Sequence, residues 1–547
     1  MNKQRALSER INHLYNPYCP IILHLIPRIL TNLDRDKDSP TYGCYDRNFW
    51  HYKVHDYSSA ILQQCSLTLA LVYLNQFCGN IYYNNKMIRQ YSIAGINFCY
   101  KIQNRDGSFA EYWKGESSIP STAFTLYSLC ETCDLLGLKP DAECLNKAVH
   151  FLIKHKENEV LNQEMAAIAA IRYAGKLLDN KEYESISTQR FNEFLKMEKK
   201  EGWFSEYGGM DISYLTVNLD FLIRYYELTG NNNALEAAKQ VIGYIQYFIH
   251  PDGSLGGEYG TRNTEYFAPY GIEYLKGHCP ISSWIINSVL GYISQDGYLN
   301  LNCDERYYLH YLSHSFMKSL IIYSKNNCFL SLPHNFSFEK YFKESKIFIK
   351  STPNYYFISN LSKGGVFKAM NKHTYQMSTD CGYRLILSKN MYVTELPQLN
   401  EYSFREDQIE VTCNFVKLNF VKQSTLKLLL LRALSLILGS RTNHLLKKVM
   451  IFGKNSNNDM KLNRIIAFED DKIHVSDNIQ IGKRSGNIKL SNGLSVRHTA
   501  SSRFFQLNTL NNPVQPEEFQ INGSLTNTRT IFFNPPIFDQ SNPCEER

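Results

Sequence analysis

The sequence predicts a multidomain α+β protein, in which an N-terminal incomplete α/α toroid of helical hairpins precedes a C-terminal antiparallel β-sandwich. Three observations predict this fold class. The chain has 547 residues, more than one hydrophobic core usually supports. Apolar residues recur at helical spacing from about Tyr57 to Ser324, and a similar turn recurs along that region. After Pro333 the pattern changes to short β-rich segments.

The helical region carries a turn whose chemistry recurs along the chain. Its turn glycines are separated by 95, 51 and 44 residues, so one copy is missing between the first two, where residues 155–158 form a divergent turn. A spacing of roughly 50 residues accommodates two helices and two loops. The repeat unit is therefore a helical hairpin, and a toroid of such hairpins gathers like turns at one rim. The recognisable copies are residues 106–112, 201–207, 252–259 and a weaker copy that starts at Asp296.

The second half of the chain predicts strands. Short β-rich segments follow one another with turn residues between them, and residues 464–475 form a hairpin that turns at Asp470 and Asp471. Evenly spaced strands without intervening helices are typical of an antiparallel sandwich. We therefore expect a toroid domain over residues 1–330 and a sandwich domain over residues 331–547. The other predicted strands are residues 346–350, 355–359, 365–369 and 383–387.

An amphipathic insertion around residues 424–450 interrupts the strands. Its apolar run over residues 426–438 is followed by Arg441, Lys447 and Lys448, and it is too short and too charged to span a bilayer. One interpretation is a helix that makes a peripheral contact with an anionic membrane through residues 426–448. The other is a helix that caps an open end of the sandwich.

The composition limits the kinds of molecule that the chain is expected to bind. A net charge of +7 permits a polyanionic partner, but no stripe of Lys and Arg with interleaved aromatic residues predicts nucleic-acid binding. The N-terminus lacks the pattern of a signal peptide, and the 14 cysteines are irregularly spaced. We expect reduced cysteines and a cytoplasmic protein, or one peripheral at the inner membrane.

The rim turns carry polar residues at a similar distance from the turn glycine. Glu111 and Glu206 follow their turn glycines by four residues, and Glu258 follows its glycine by five. The same count in the divergent turn reaches Asn162, so an amide stands where the other repeats have a carboxylate. Such an amide suits a site that holds a substrate carboxylate without repelling it. The alternative is that Asn162 caps the following helix.

Other candidates surround these turns. Tyr214 opens a helix after paired glycines, where a phenol can remove and return a proton, although its spacing equally fits a core aromatic. The loop at residues 256–264 is unusually rich in glycine, and its arginine and asparagine can bind carboxylates and hydroxyls. The segment at residues 46–51 closes the rim or only seals the first hairpin. The candidate substrate-binding residues are Arg47, Asn48, Trp50, Trp203, Glu206, Glu258, Tyr259, Arg262 and Asn263.

In combination these features resemble the heparinase II/III-like polysaccharide lyases, which include alginate lyases and heparinases. The resemblance rests on Asn162-Gln163-Glu164 before an Ala-rich helix, residues 202–214, residues 253–264, and Lys363-Gly-Gly-Val-Phe. It implies an α/α toroid with a β-sandwich, and β-elimination on a uronate-containing polysaccharide in capsule or exopolysaccharide metabolism.

The resemblance also implies catalytic roles for three residues. Asn162 would neutralise the uronate carboxylate, Tyr214 would be the acid and base, and His373 of the strand domain would assist. Masking the carboxylate charge makes the C5 proton acidic enough for a base to remove, after which the C4 oxygen leaves. The chain departs from the family at Gln163, where a His is expected. No cofactor is required, and a divalent metal in the strand domain is allowed by family analogy, although no ligand cluster in the sequence indicates one.

Two other functions stay open at this level. A glycoside hydrolase needs a pair of carboxylates, which Asp211, Glu206 and Glu258 could supply. A non-catalytic glycan-binding protein of polysaccharide biosynthesis would need Tyr214 to be buried and distant from Asn162.

Overall fold

A computed structural model describes residues 16–294, 301, 303–324, 331–418, 424–439, 442, 456–492 and 517–533. The weak turn copy at Asp296, the domain boundary at residue 330, and Arg441, Lys447 and Lys448 lie outside these residues. The helices that precede the strands are α1 (Tyr18–Asn32), α2 (Arg47–Trp50), α3 (Cys65–Leu74), α4 (Lys86–Lys101), α5 (Ile119–Leu136), α6 (Ala142–Lys154), α7 (Leu161–Leu177), α8 (Lys181–Leu195), α9 (Ile212–Thr229), α10 (Asn232–Ile245), α11 (Tyr270–Tyr274), α12 (Ile281–Ile293), α13 (Glu305–Tyr307) and α14 (Ser313–Ile322).

The helices form an inner and an outer layer. In the inner helix α7 every residue from 161 to 171 is buried, as expected for a helix that is covered on all sides. The outer helix α6 instead buries one face, which includes Leu145 and Leu152, and exposes His150 on the other. Neighbouring inner helices contact one another in the order α3, α5, α7, α9, α11 and α14.

The last inner helix returns to the first. Helix α14 contacts α3, and the hydroxyls of Thr68 and Ser313 are 2.7 Å apart. The thiol of Cys65 also donates to the carbonyl oxygen of Leu309 at 3.2 Å. These contacts place the helices in a ring, so that residues separated by more than 200 positions become neighbours at its rim. The predicted toroid is confirmed.

The recurring glycine has a physical cause. Gly107, Gly202 and Gly253 all have φ between 85° and 87°, a region that residues with a Cβ rarely adopt. A Cβ on each would lie 2.1 to 2.5 Å from a carbonyl oxygen of an outer helix, on Lys147, Gln240 and Ser288 respectively. The glycine repeats because each rim turn approaches the backbone of the next outer helix.

The strand-rich domain is antiparallel throughout the described pairings. Strand order is β1-β2-β3-β4-β5-β6-β8-β9-β10-β11, and β7 pairs with β8. An additional pairing of β5 with β10 folds this continuous sheet back onto itself. The predicted hairpin at residues 464–475 is confirmed by the pairing of Phe468 with Ile473. The strands are β1 (Phe338–Phe342), β2 (Ile347–Ser351), β3 (Tyr355–Asn360), β4 (Val366–Asn371), β5 (Met377–Leu387), β6 (Asn390–Val393), β7 (Glu401–Arg405), β8 (Gln408–Leu418), β9 (Ser456–Phe468), β10 (Lys472–Asn492) and β11 (Glu518–Phe532).

The insertion contains a helix, α15 (Thr425–Leu438). Ser424 caps its N-terminus, because the Ser424 hydroxyl accepts a hydrogen bond from the backbone N–H of Lys427. Within the described residues, no helix combines the length and the apolar character needed to cross a membrane.

Candidate functional site

The rim turns contact one another in ring order. Val160 of the divergent turn forms a β-bridge with Glu206, and the backbone N–H of Tyr207 donates to the carbonyl oxygen of Glu159 at 3.2 Å. The Thr261 hydroxyl in turn donates to the carbonyl oxygen of Glu206 at 2.6 Å. Three turns from different hairpins therefore contact one another along the rim.

Asn162 lies in the first turn of α7 and faces Glu206. Its backbone N–H donates to Glu206 Oε1 at 2.8 Å, and its side-chain Nδ2 donates to Glu206 Oε2 at 2.6 Å. Val160 occupies the N-cap position of α7, so the alternative capping role for Asn162 is wrong. The paired amide and carboxyl instead tie two neighbouring turns together.

The Glu206 carboxyl is fully buried. Burial raises its pKa well above the ordinary range, although both hydrogen bonds from Asn162 act in the opposite direction. The environment of Glu206 therefore favours its protonated form. Asn162 itself is 2% exposed.

Gln163 connects Asn162 to an aromatic group. Its Nε2 donates to the hydroxyl of Tyr207 at 3.3 Å, and the Arg262 guanidinium lies 4.2 Å from the centre of the Tyr207 ring. The backbone N–H of Arg262 donates to Asp211 at 2.9 Å, which fixes the loop. Tyr207 has a φ of 56°, a strained conformation that is typical of functional sites in proteins. Burial raises the pKa of Tyr207, and the charge of Arg262 opposes that shift.

Tyr214 lies within a group of tyrosines that we call the tyrosine cluster. Its ring is 5.9 Å from that of Tyr207 and 5.8 Å from that of Tyr266. The row continues from Tyr266 to Tyr307 at 6.1 Å and from Tyr307 to Tyr311 at 5.7 Å. Tyr214 is buried, with 9% of its surface exposed. The structure therefore places Tyr214 in one cluster with Tyr207, the partner of Gln163.

A second arginine lies beside the cluster. Arg306 Nη2 donates to Glu111 Oε1 at 3.2 Å, and its guanidinium lies 4.6 Å from the centre of the Tyr112 ring. Burial disfavours the charged guanidinium, but Glu111 and Tyr112 outweigh it, so the pKa of Arg306 is raised. Arg306 thus stays cationic next to the tyrosine cluster.

The cluster is supported by a π-helical turn at Tyr308–Leu312. It contains His310, whose ring lies 5.8 Å from that of Tyr307 and 4.7 Å from that of Tyr311. His310 is fully buried, and burial lowers its pKa well below the ordinary range. Single π-helical turns within helices are frequent at functional sites.

The predicted residues of helix α2 lie against the end of α1. Arg47 donates to the carbonyl oxygen of Thr31 at 3.2 Å, and Trp50 donates to that of Asn32 at 2.8 Å. Asn48 is held at the start of α2, where its backbone N–H donates to Asp46. These contacts favour the second interpretation of this segment, in which it seals the first hairpin.

Trp203 lies in the core rather than in the tyrosine cluster. It is 3% exposed, its ring stacks on Tyr244 at 6.3 Å, and its Nε1 donates to Glu201 at 3.0 Å. Glu201 in turn accepts hydrogen bonds from the backbone of residues 344–345 of the strand domain. Trp203 therefore stabilises the contact between the two domains.

The remaining loop residues also face the strand domain. Lys368 Nζ contacts Glu258 Oε2 at 3.0 Å, and Lys363 Nζ donates to Asn263 Oδ1 at 2.9 Å. The Tyr259 hydroxyl lies 3.0 Å from His250 Nε2, inside the toroid. Of the candidates in this loop, Arg262 is the one that contacts the tyrosine cluster.

His373 lies in the turn after β4. Its Nε2 is 3.0 Å from Asn354 Oδ1, and its backbone N–H donates to Asn371 at 2.8 Å. Both partners belong to the strand domain, whereas His310 is the histidine that contacts the tyrosine cluster. The assisting role of His373 stays a prediction.

The carboxylates proposed for hydrolysis are already engaged. Glu206 is bound to Asn162, Glu258 is paired with Lys368, and Asp211 accepts hydrogen bonds from the loop at Arg262 and Thr264. This arrangement does not present two carboxylates to one substrate bond. Across the described ranges, no group of three or more His, Cys, Asp or Glu side chains is placed to hold a metal ion.

Several residues of this site carried no signal in the sequence analysis. Tyr266, Tyr307, Tyr311 and Arg306 lie outside the copies of the turn, and closure of the ring brings them beside Tyr214. The spacing of Tyr307 and Tyr311 by four residues places both on one helical face, which is the one local pattern that could have indicated them.

Comparison with known proteins agrees with this architecture. Residues 71–272 match the family model described as the ulvan lyase N-terminal domain. No curated protein matches the chain. The predicted resemblance to polysaccharide lyases is confirmed at the level of the helical domain and the fold.

One solved structure shares this fold at low sequence identity. The chondroitin AC lyase of Streptomyces coelicolor A3, in complex with chondroitin sulphate, aligns with a TM-score of 0.51 and 10% identity. The alignment covers 78% of this chain and 63% of that lyase, so the chain spans less than two thirds of its length. Heparinase III aligns over 86% of this chain and 76% of its own, with 11% identity and a TM-score of 0.43.

Proposed function

We propose that this chain, with its ulvan lyase-type helical domain, cleaves a uronate-containing acidic polysaccharide by β-elimination. The observation that carries this proposal is the position of Asn162, which is held by the buried Glu206 carboxyl and connected through Gln163 and Tyr207 to the cluster that contains Tyr214. An amide for the carboxylate and a phenol for the proton are the two groups that the reaction needs.

Asn162 and Tyr214 can carry out the whole elimination. Asn162 binds the uronate carboxylate and lowers the cost of negative charge at C5. Tyr214, as its phenolate, removes the C5 proton, a C4–C5 double bond forms, and the bond from C4 to the glycosidic oxygen breaks. The proton on Tyr214 then passes to the departing oxygen, which restores the phenolate.

Positive charge and aromatic rings support this assignment. Arg262 and Arg306 lie on tyrosine rings within or beside the cluster, where guanidinium groups attract an anionic chain. Tyrosines present an apolar face for sugar rings and a hydroxyl for hydrogen bonds. Arginines and tyrosines grouped in this way fit an acidic glycan better than an uncharged one.

Glu206 takes a different role from the predicted one in this proposal. It is 0% exposed and contacts Asn162 through both oxygens, so we assign it to positioning the amide rather than to direct substrate binding. Trp203, Glu258, Tyr259 and Asn263 are similarly assigned to the packing of the rim against the strand domain.

The cellular setting and the cofactor content stay sequence-based predictions. We propose action on a glycan of capsule or exopolysaccharide metabolism on the cytoplasmic side, with no cofactor required. A divalent metal in the strand domain, allowed by family analogy, would be detected by elemental analysis of the purified chain.

Incubation with a panel of uronate polysaccharides tests the proposal. Elimination creates a double bond conjugated to the carboxylate, which absorbs in the ultraviolet, and we expect this absorbance to rise with the wild-type chain. Tyr214→Phe should lower the rate by about 10²- to 10⁴-fold, because it removes the proton-transferring hydroxyl.

Tyr266→Phe is the matched control, since it removes a hydroxyl from the neighbouring ring of the same cluster. It should keep most of the activity. New reducing ends without ultraviolet absorbance would show hydrolysis, and binding without cleavage of any glycan would show a glycan-binding protein. Either result would contradict the lyase proposal.

A further inference from the structure

We propose that the outward face of helix α15 is a docking surface for an anionic lipid bilayer. At 100° per residue, the apolar side chains of this face form one continuous stripe that contains no charged residue. Large exposed apolar stripes are uncommon on soluble proteins and mark interaction surfaces. The stripe, which we call the apolar face, consists of Leu426, Leu429, Leu430, Ala433, Leu434 and Ile437.

The exposure of these side chains is high. Leu426 and Ile437, near the two ends of the helix, are 77% and 78% exposed, and Leu429 and Leu430 are each 58% exposed. The helix has 14 residues, so the apolar face is roughly 21 Å long. That length suits a helix that lies in the plane of a bilayer surface.

The attachment of α15 to the toroid fixes which face points outward. Ser435 Oγ accepts a hydrogen bond from Trp113 Nε1 at 2.7 Å, and Arg432 forms a bidentate pair with Asp56 at 2.9 and 3.0 Å. Ser435 and Arg432 lie on the side of the helix opposite the apolar face. The toroid therefore holds the side of the helix that carries Ser435 and Arg432, and the apolar face stays exposed to solvent.

The charge of the sequence on either side of α15 indicates what binds to the apolar face. Residues 411–458 contain eight lysines and arginines and no aspartate or glutamate. This stretch therefore holds a formal charge of +8 within a chain whose total is +7. An apolar helix within a strongly basic segment is the pattern that binds anionic lipid headgroups while burying its leucines in the interface. A second copy of the chain would bring two such basic segments together, which their repulsion disfavours.

Docking would place the rim near the bilayer. Trp113 follows Tyr112, and the Tyr112 ring lies under Arg306. Tyr57 follows Asp56 in the sequence, and the Tyr57 hydroxyl donates to the carbonyl oxygen of Glu111 at 3.4 Å. The helix is thus attached to the two loops that carry one end of the candidate site. This inference goes beyond the proposed function and does not depend on catalysis.

Co-sedimentation of the full chain with vesicles tests the surface. We expect binding to vesicles of phosphatidylcholine with phosphatidylglycerol, weaker binding at raised salt, and little binding to phosphatidylcholine alone. The triple variant Leu426→Ser, Leu430→Ser, Ile437→Ser should bind anionic vesicles at least about tenfold more weakly, because it removes apolar area that enters the interface.

A matched variant separates this surface from apolar exposure in general. Ile81→Ser, Phe336→Ser, Leu399→Ser changes three residues that are 78%, 59% and 102% exposed elsewhere on the chain, and it should bind like wild type. Both variants should keep the wild-type unfolding temperature, because every altered side chain is exposed. Equal vesicle binding by the two variants would overturn the proposal. Absence of vesicle binding, with a dimer in light scattering that the α15 variant alone loses, would assign the face to a second copy.

Discussion

Equivalent rim turns neutralise a buried carboxyl in different ways. Glu206 and Glu258 occupy the same place in two copies of the turn, and both are largely removed from solvent. Glu206 contacts the amide of Asn162, whereas Glu258 contacts the ammonium of Lys368 at 3.0 Å. Burial favours the protonated form of the first carboxyl, and a cation compensates the charge of the second.

This difference separates a site from a structural contact. The ion pair of Glu258 joins the toroid to β4, and Glu265 contributes a second carboxylate to the same lysine. The pair of Glu206 and Asn162 involves no cation and lies beside Tyr207 and the tyrosine cluster. The Asn162 amide carries no charge, so it would not repel an anionic group of a ligand.

The largest expected effect on stability comes from the removal of Lys368, the cation that pairs with Glu258. Lys368→Met leaves Glu258 and Glu265 buried without their cation, so it should lower the free energy of unfolding by about 3–5 kcal/mol. Urea denaturation measures this change. Lys181→Met, which removes a lysine that is 77% exposed and paired with Glu184, should change stability by less than about 1 kcal/mol. Similar losses in the two variants would show that the buried pair does not join the domains.

The same substitution at the two positions should act for different reasons. Glu258→Gln weakens the pair with Lys368 and should cost about 1–3 kcal/mol at neutral pH. Glu206→Gln keeps the shape of the side chain but leaves Asn162 one acceptor instead of two, because the new NH2 group is a donor, so it should cost about 1 kcal/mol at acidic pH. Urea denaturation of Glu258→Gln at neutral pH and of Glu206→Gln at acidic pH measures the two costs.

The pH dependence of Glu206→Gln follows from the raised pKa of Glu206. At pH values below the ordinary range, this carboxyl is protonated in both the folded and the unfolded chain. As pH rises, the unfolded chain ionises first, so wild-type stability contributed by this group is lost between the ordinary and the raised pKa. The glutamine variant has no such loss, so its stability relative to wild type should rise with pH. A parallel pH profile in wild type and variant would contradict a neutral Glu206.

The smallest expected effect on stability concerns Glu198, a carboxyl that pairs with neither an amide nor a cation among the contacts described. Burial raises the pKa of Glu198 to about 7, and its Oε1 has no hydrogen-bond partner among the described residues. The stability that its protonated form contributes is present at acidic pH and lost as pH rises to about 7. Glu198→Gln should therefore stabilise the chain by about 1 kcal/mol above that pH and leave it unchanged at low pH. Thermal unfolding at acidic and alkaline pH would reveal a wrong assignment as a constant difference.

Much of the fold could be predicted from local sequence. Positive φ at Gly107, Gly202 and Gly253 is a local requirement, so the repeat is visible without knowledge of the partner helix. The strands alternate or cluster apolar residues over short lengths, and the hairpin turn at residues 470–471 also follows from local chemistry. The pairing of β5 with β10 joins residues about 100 positions apart and has no local signature.

The candidate site was predictable only in part. Register within the repeat selects Asn162, because the turn fixes the distance from glycine to rim. The identity of its partner, Glu206, depends on the contact between neighbouring hairpins, and Arg306 reaches the site through closure of the ring. Trp50 and Trp203 combine polar and aromatic character, as binding residues do, but packing against α1 and the strand domain accounts for that character here.

The masking of a substrate carboxylate by Asn162 is the step on which the rest of the proposed reaction depends. Its most direct test compares kcat/KM of wild type and Asn162→Ala on one uronate polysaccharide and on its methyl ester, which carries no such charge. We expect the variant to lose about 10²- to 10³-fold on the free uronate and less than about tenfold on the ester. Equal losses on the two substrates would show that Asn162 supports the rim without neutralising the carboxylate.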